Sequence, residues 1–443
     1  MARDDHERPS GAAPGSVVLR PLRDFLHTEA AGGVVLLAAA VVALVWANSP
    51  WKESYADLWH TRLAIDLGGH VLDLDLREWI NDGLMAIFFF VVGLEIKREL
   101  VDGELRDPRR AALPAIAAVG GMAVPGLLYA SINAGGDGAA GWGIPVATDI
   151  AMAVGVLSLL GARIVPSLRL YLLALAIVDD IGAILIIAIF YSSDIDTTSL
   201  ALAVVLVLVV GAARRAGVQR LIVYVLLGAG LWLALHESGV HATLTGVVLG
   251  LMAPTAPIRH HDLIDADELA DVSTVEAART TVALARQSVS VVEWLEHLLH
   301  PWTSFVIVPL FALANAGVPV TSDALSAAAS SPITYGVVLG LVVGKPIGIA
   351  GFTWLATRLR IAELPPGATW GGIVGVGALA GIGFTVSLFV TGLAFDDPVR
   401  QDEAKIGILA ASTIAAVVGS LILSRVGRSA PADHAAVEPA APS

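Results

Sequence analysis

The 443 residues contain no cysteine, which removes disulfide frameworks, thiolate metal sites and cysteine nucleophiles together and leaves the redox compartment unread. Charge is scarce as well. Asp, Glu, Lys and Arg make up 15% of the chain and apolar residues 56%, with a mean hydropathy of +0.75, whereas a soluble protein carries about a quarter charged residues. Length alone would suggest about three soluble domains, but a surface so poor in charge faces lipid, and soluble multidomain readings are excluded. Basic residues are the minority, 27 against 40 acidic, for a net charge of −13, which argues against a nucleic-acid partner.

What the chain does have is apolar runs. Stretches that read as long enough to cross about 30 Å of hydrocarbon, uncharged but for Lys345, occur at 30–48, 111–133, 239–253, 333–356 and 406–424. Interrupted or shorter ones at 77–101, 142–160, 167–191, 198–213, 220–235, 297–317 and 371–394 complete a set of twelve. The loops test this count, because cytoplasmic loops carry the Lys and Arg. With both termini inside, 21 of the 27 basic residues fall on the inner side, five (Lys52, Arg62, Arg77, Arg400, Lys405) on the outer side, and Lys345 within a span. Residues 1–28 mix acids, bases, Pro and Gly and read as a cytoplasmic tail, not a signal peptide. Residues 29–426 read as one transmembrane domain, and 427–443, Ala/Pro-rich from Ser429, as a disordered cytoplasmic tail. The inner loop 254–290 carries Asp262, Asp265, Asp267, Glu268, Asp271 and Glu276 and reads as a solvated acidic insertion. Between the first two spans, residues 62–76 read RLAIDLGGHVLDLDL, with apolar residues alternating on either side of Gly68 and Gly69. This predicts an extracytoplasmic β-hairpin that lies on the protein's own surface or pairs with a second copy.

An ionisable side chain deep in a bilayer costs about 2.5 to 3.5 kcal/mol on insertion scales, so each needs a reason. Asp179 and Asp180 sit near the middle of 167–191, and Lys345 near the middle of 333–356. A salt bridge to Lys345 explains one acid and not two. Neighbouring helical positions point about 100° apart, so one acid can meet the lysine while the other faces a water-filled cavity. Asp149 follows Thr148 in GWGIPVATDIAMAVG, where Pro145 and the flanking glycines break the helix. A second break is predicted in 371–394, with seven glycines in 24 residues. The second break lies seven spans on from the first, an odd offset, so the two cross in opposite directions, as discontinuous helices of inverted-topology repeats do. Facing breaks expose two positive half-helix N-termini and two negative C-termini; Asp149 is placed to offset the first and Lys345 the second. A deep carboxylate holds either a proton or a small hard cation, and competition for one site is antiport.

On these residues the chain resembles the NhaA family of bacterial Na⁺/H⁺ antiporters, from about Leu26 to Leu423. The motifs are INDGLMAIFFFVVGLEIKREL from Ile80, PVATDIAMA from Pro145, AIVDDIGAI from Ala176, SGVHATLTGV from Ser238, LEHLLHPW from Leu295, PLFALANAGV from Pro309, GKPIGI from Gly344 and GIGFTVSLF from Gly381. The resemblance implies an all-α polytopic membrane protein of about twelve helices, with inverted repeats and two discontinuous helices crossing at mid-membrane, in the bacterial inner membrane. It implies a transporter and not an enzyme, without cofactor, exchanging Na⁺ or Li⁺ for protons, with membrane lipid around it and a homodimer formed through the hairpin. It makes Asp180 the main cation and proton carboxylate, with Asp179 beside it as second binding or gating acid and Lys345 as its salt-bridge partner. Thr148 and Asp149 fall in the unwound segment of the first broken helix. Glu95, Arg98, Glu99, Glu296, His297 and His300 resemble a pH-responsive cluster at the cytoplasmic funnel, and His241 a histidine near the outer face linked to pH response. The acidic loop 254–290 departs from the short connection associated with the family and bears on the pH profile.

Three other readings differ in class. An intramembrane aspartyl protease would place its two acids on facing helices, and here they are adjacent on one. A passive cation channel would need a ring-forming filter motif. A sodium-coupled solute symporter on the same fold would leave polar room for the solute where this chain puts Lys345.

Overall fold

The computed structural model describes residues 15–66, 71–161, 164–192, 194–218, 220–255 and 290–428. Fifteen helices are named in chain order: α1 (Gly15–Ala47), α2 (Lys52–Trp59), α3 (Leu76–Val101), α4 (Pro108–Ile132), α5 (Ile150–Leu159), α6 (Pro166–Phe190), α7 (Thr197–Arg215), α8 (Leu221–Glu237), α9 (Leu244–Met252), α10 (Val291–Asn315), α11 (Ser322–Ala328), α12 (Pro332–Arg358), α13 (Trp370–Leu379), α14 (Phe384–Ala394) and α15 (Pro398–Arg428). Their starts follow local chemistry. Asp107 accepts from Arg109 N with Pro108 in the first turn of α4, Asp196 accepts from Ser199 N at α7, and Thr369 accepts from Gly372 N at α13.

Eight described helical stretches are long and apolar enough to cross a membrane, or ten if each bent pair counts as one span. The expected spans 220–235 and 239–253 coincide with α8, of 17 residues, and α9, of nine. At 1.5 Å per residue, α9 itself covers only about 14 Å, about half of the hydrocarbon thickness, so the expected span 239–253 is helical over only part of its length. Helix α1 begins at Gly15 and so runs through part of the stretch expected as a tail to Thr28. The Gly68–Gly69 turn, most of the acidic loop 254–290 and the tail from Ser429 lie outside the described residues.

Burial ranks the helices. The stretch Ala139–Leu159 has 61% of its apolar window buried and α7 only 11%, so the broken segment is central and α7 peripheral. Helices in lipid gain little from hydrophobicity against one another and pack instead through small residues. Two seams illustrate this. A Cβ on Gly250 of α9 would lie 2.6 Å from Phe90 O and 2.8 Å from Gly93 Cα of α3, and one on Gly348 of α12 would lie 2.7 Å from the carbonyl carbon of Gly120 in α4. Three helices also contain a π turn, at Trp79–Leu84 in α3, Thr303–Ile307 in α10 and Gly340–Gly344 in α12.

Strands β1 (Arg62–Asp66) and β2 (Val71–Asp75) pair antiparallel, from Arg62 opposite Asp75 to Asp66 opposite Val71. β1 is exposed along its whole length, while Leu72 and Leu74 of β2 are buried. The ribbon is tied down by Trp79, whose Nε1 donates to Leu63 O at 3.0 Å. The Trp79 ring stacks on Trp232 of α8, and Trp232 in turn on His236.

Candidate functional site: two helix breaks around a buried acid pair

At the first break a 3₁₀ segment, Ala139–Val146, gives way to extended backbone at Ala147 and Asp149 before α5 begins. Pro145 removes a donor there. At the second, α13 and α14 meet at an angle of 48° across Ala380 to Gly383. A Cβ on Gly383 would lie 3.2 Å from Ala147 O, so the absent side chain lets the two breaks touch backbone to backbone. Four residues stitch them together. Asp149 N donates to Ile382 O at 2.6 Å, Thr148 Oγ1 to Ala380 O at 2.9 Å and Ser387 Oγ to Ile144 O at 2.7 Å. Asp149 Oδ1 accepts from Met152 N (3.0 Å), and its Oδ2 accepts from Thr385 N (2.9 Å) and Thr385 Oγ1 (2.7 Å). One carboxylate therefore sits at the N-termini of both α5 and α14, where the helix dipoles are positive.

Asp179 and Asp180 are the fourteenth and fifteenth of the 25 residues of α6. Lys345 is fully buried; its Nζ lies 2.6 Å from Asp179 Oδ2 and donates to Thr148 Oγ1 at 3.0 Å. The lysine thus pairs with Asp179 and reaches the C-terminal carbonyl of α13 through the Thr148 hydroxyl. Asp179 Oδ1 is buried and has no hydrogen-bond partner among the described residues. Asp180 is 8% exposed and turns to a cavity of about 70 Å³, room for a few waters or a partly dehydrated cation. Adjacent positions on one helix have separated into a paired acid and a cavity-lining acid.

The same cavity is lined by Thr148, Asp149, Glu95, Arg98 and His300. Arg98 pairs with Glu296 and, at 3.5 Å, with Glu99. Glu296 and His300 stand four residues apart on one face of α10, Glu296 buried and His300 on the cavity. His297 is exposed and is not brought to the cavity, because one residue on from Glu296 is about 100° around the helix. His241 is elsewhere again, its Nε2 2.8 Å from Tyr191 O. Since Gly246 packs by Phe90 and Gly250 by Gly93, α9 runs alongside α3, and His241 lies toward the Trp79 end, away from Arg98.

Sequence reasoning missed Thr385 and Ser387, whose hydroxyls join the breaks, and Thr303, which is among the residues that line the cavity. The first two sit two and four positions past Gly383 of the second break, which is where a half-helix N-terminus needs partners. The arrangement offers a carboxylate open to a small cavity beside another held by an ammonium. It can take up a proton or a hard monovalent cation.

The chain matches the family model described as Na⁺/H⁺ antiporter 1 over residues 23–423. It is 50% identical over 417 residues to a protein of Rhodopirellula baltica named Na(+)/H(+) antiporter NhaA, covering 91% of this chain and 94% of that one. Proteins named Na(+)/H(+) antiporter NhaA 2 from Myxococcus xanthus and Sorangium cellulosum are each 47% identical, over 92% and 95% of this chain and 89% and 92% of theirs.

Proposed function

The chain belongs to the Na⁺/H⁺ antiporter 1 family, and we propose that it exchanges Na⁺ or Li⁺ for protons across a bacterial inner membrane, with Asp180 as the group for which cation and proton compete. The observation that carries this reading is the division of labour on α6: Asp179 is held by Lys345, and Asp180 lines the cavity. An empty, charged Asp180 is costly to move through a low-dielectric barrier, while its protonated or cation-bound forms are neutral. Alternating access then couples proton flow one way to cation flow the other. Asp179 and Lys345 act as the second titrating unit, the cation displacing the ammonium from the carboxylate, so that two protons return for each cation. Each net charge moved draws about 2.3 kcal/mol per 100 mV from the membrane potential.

Twelve crossings arranged as inverted repeats, with both termini cytoplasmic, fit the alternation of basic loops. Asp149 and Thr148 balance the half-helix ends in this scheme. The Arg98–Glu296–Glu99 network with Glu95 and His300, on the cavity that Asp180 lines, carries the pH response. His297 and His241 stand in secondary positions, outside that cavity. Homodimerisation uses the hairpin, whose strand β1 is exposed along its whole length.

The test places the protein in antiporter-deficient inside-out vesicles, acidifies the lumen by respiration and adds Na⁺ between pH 6.5 and 8.5 while a dye follows the gradient. Na⁺ but not choline should release the gradient, and Asp180→Asn should abolish the release. Folded protein that moves no protons with Na⁺ at any pH overturns the reading.

A further inference from the structure

We propose that the Thr303 hydroxyl is an oxygen ligand for the transported cation, facing Asp180 across their shared cavity. The inference rests on the antiport reading above. A small hard cation that gives up water needs protein oxygens in its place, so the useful question is which oxygens on the cavity wall are uncommitted.

Most are committed. Thr148 Oγ1 accepts from Lys345 and donates to Ala380 O. Both Asp149 oxygens receive backbone N–H groups, and the Thr385 hydroxyl donates to Asp149. These groups hold the two breaks together, and withdrawing any of them for an ion would expose a helix end. Thr303 differs. It is 4% exposed and lines the cavity with Asp180. Its hydroxyl proton is used in a bond to His300 O at 2.9 Å, which leaves the oxygen lone pairs as acceptors and no proton to repel a cation. Residue 303 is also the first of the π turn Thr303–Ile307, a winding often found at functional sites. A threonine bonded back onto its own helix is common as a structural device; here the same bond orients the oxygen.

The experiment compares wild type with Thr303→Val, Thr303→Ser and Thr303→Cys. Na⁺ and Li⁺ half-saturation are read in the vesicle assay, and binding of NaCl and LiCl to purified detergent-solubilised protein is read by titration calorimetry at pH 8.5. Valine is isosteric without the oxygen, and loss of one neutral ligand should raise the Na⁺ half-saturation and Kd about fivefold at little change in maximal rate. The Na⁺ to Li⁺ ratio should shift, because the two ions differ in how many oxygens they gather. Serine should restore both numbers. Cysteine, with a soft atom in place of a hard one, should behave as valine does and serves if valine does not fold. Unchanged half-saturation and Kd in valine or cysteine, or failure of serine to restore them, overturns the assignment. If wild type binds Na⁺ but moves no protons with it, the antiport reading falls, while the calorimetric comparison still decides the ligand role of Thr303.

Discussion

Asp149 and Thr385 are joined twice through one oxygen, at 2.9 Å from the backbone nitrogen and 2.7 Å from the hydroxyl, although 236 residues separate them. Asp149→Ala removes the partner of two helix N-termini at once. At about 1 kcal/mol per lost cap, and more for buried donors left bare, it should lower stability by about 2 to 4 kcal/mol. Thr385→Val keeps the backbone bond and should cost about 1 kcal/mol. Thermal unfolding in detergent, followed by tryptophan fluorescence, separates the two.

The Asp179–Lys345 pair is completely buried on both sides. Breaking one partner strands a charge, so Asp179→Leu and Lys345→Met should each cost about 3 to 5 kcal/mol, whereas the double substitution should cost far less than their sum. Additive costs would mean that the two groups do not depend on one another.

Much of this site was legible because charge in a bilayer is expensive. Asp179, Asp180 and Lys345 stand out near the middle of apolar runs, far from the charge at their ends, and Pro145 marks a break by lacking a donor. Which acid meets the lysine was not legible, since adjacent helical positions differ only in azimuth and the azimuth is set by packing. Nor were Thr385, Ser387 and Thr303: a hydroxyl in an apolar run carries no cost that shows in the letters. The His297 expectation came from the resemblance, while helical period alone puts it on a different face from Glu296 and His300. The shortness of α9 was hidden by an apolar run at 239–253 that continues past both of its ends.

The glycine seams predict opposite signs for one substitution. Gly250→Ala would force a carbon to within 2.6 Å of Phe90 O, and Gly348→Ala would force one onto the carbonyl group of Gly120; each should destabilise by more than about 1 kcal/mol. Gly351 lies on the same helix as Gly348 with nothing within 4 Å of its missing carbon, and Gly351→Ala should be neutral or stabilise by up to about 1 kcal/mol. Midpoints of thermal unfolding for the three variants decide the matter.

Asp196, ahead of α7, accepts from Ser199 N at 2.7 Å, and that bond holds its carboxyl below the usual carboxylate value. The ionised cap is favoured in the folded chain, so its contribution is complete above the unfolded value near pH 4 and fades as pH falls through the lower native one. Between pH 6 and 8 it should not vary. Hydrogen exchange at the first turn of α7, corrected for intrinsic rates, should show protection lost in acid. Asn caps about as well as Asp, so Asp196→Asn should retain that protection without the acid dependence.

The wide turns in α10 and α12 take on another meaning when the imino acids downstream are considered. Pro309 and Pro346 each follow such a turn, and the residues four before them, Phe305 and Val342, lie inside Thr303–Ile307 and Gly340–Gly344. A proline ring in a helix collides with the carbonyl four residues back, and one extra residue of winding moves that carbonyl aside without ending the helix. Pro346 is covalently next to Lys345, so the wedge that opens the turn also fixes the bearing from which the ammonium points at Asp179. The aim of a transport-site charge is in this sense set by backbone crowding one bond away, and replacing that ring by an open-chain residue would change the direction of the lysine without touching any atom it contacts.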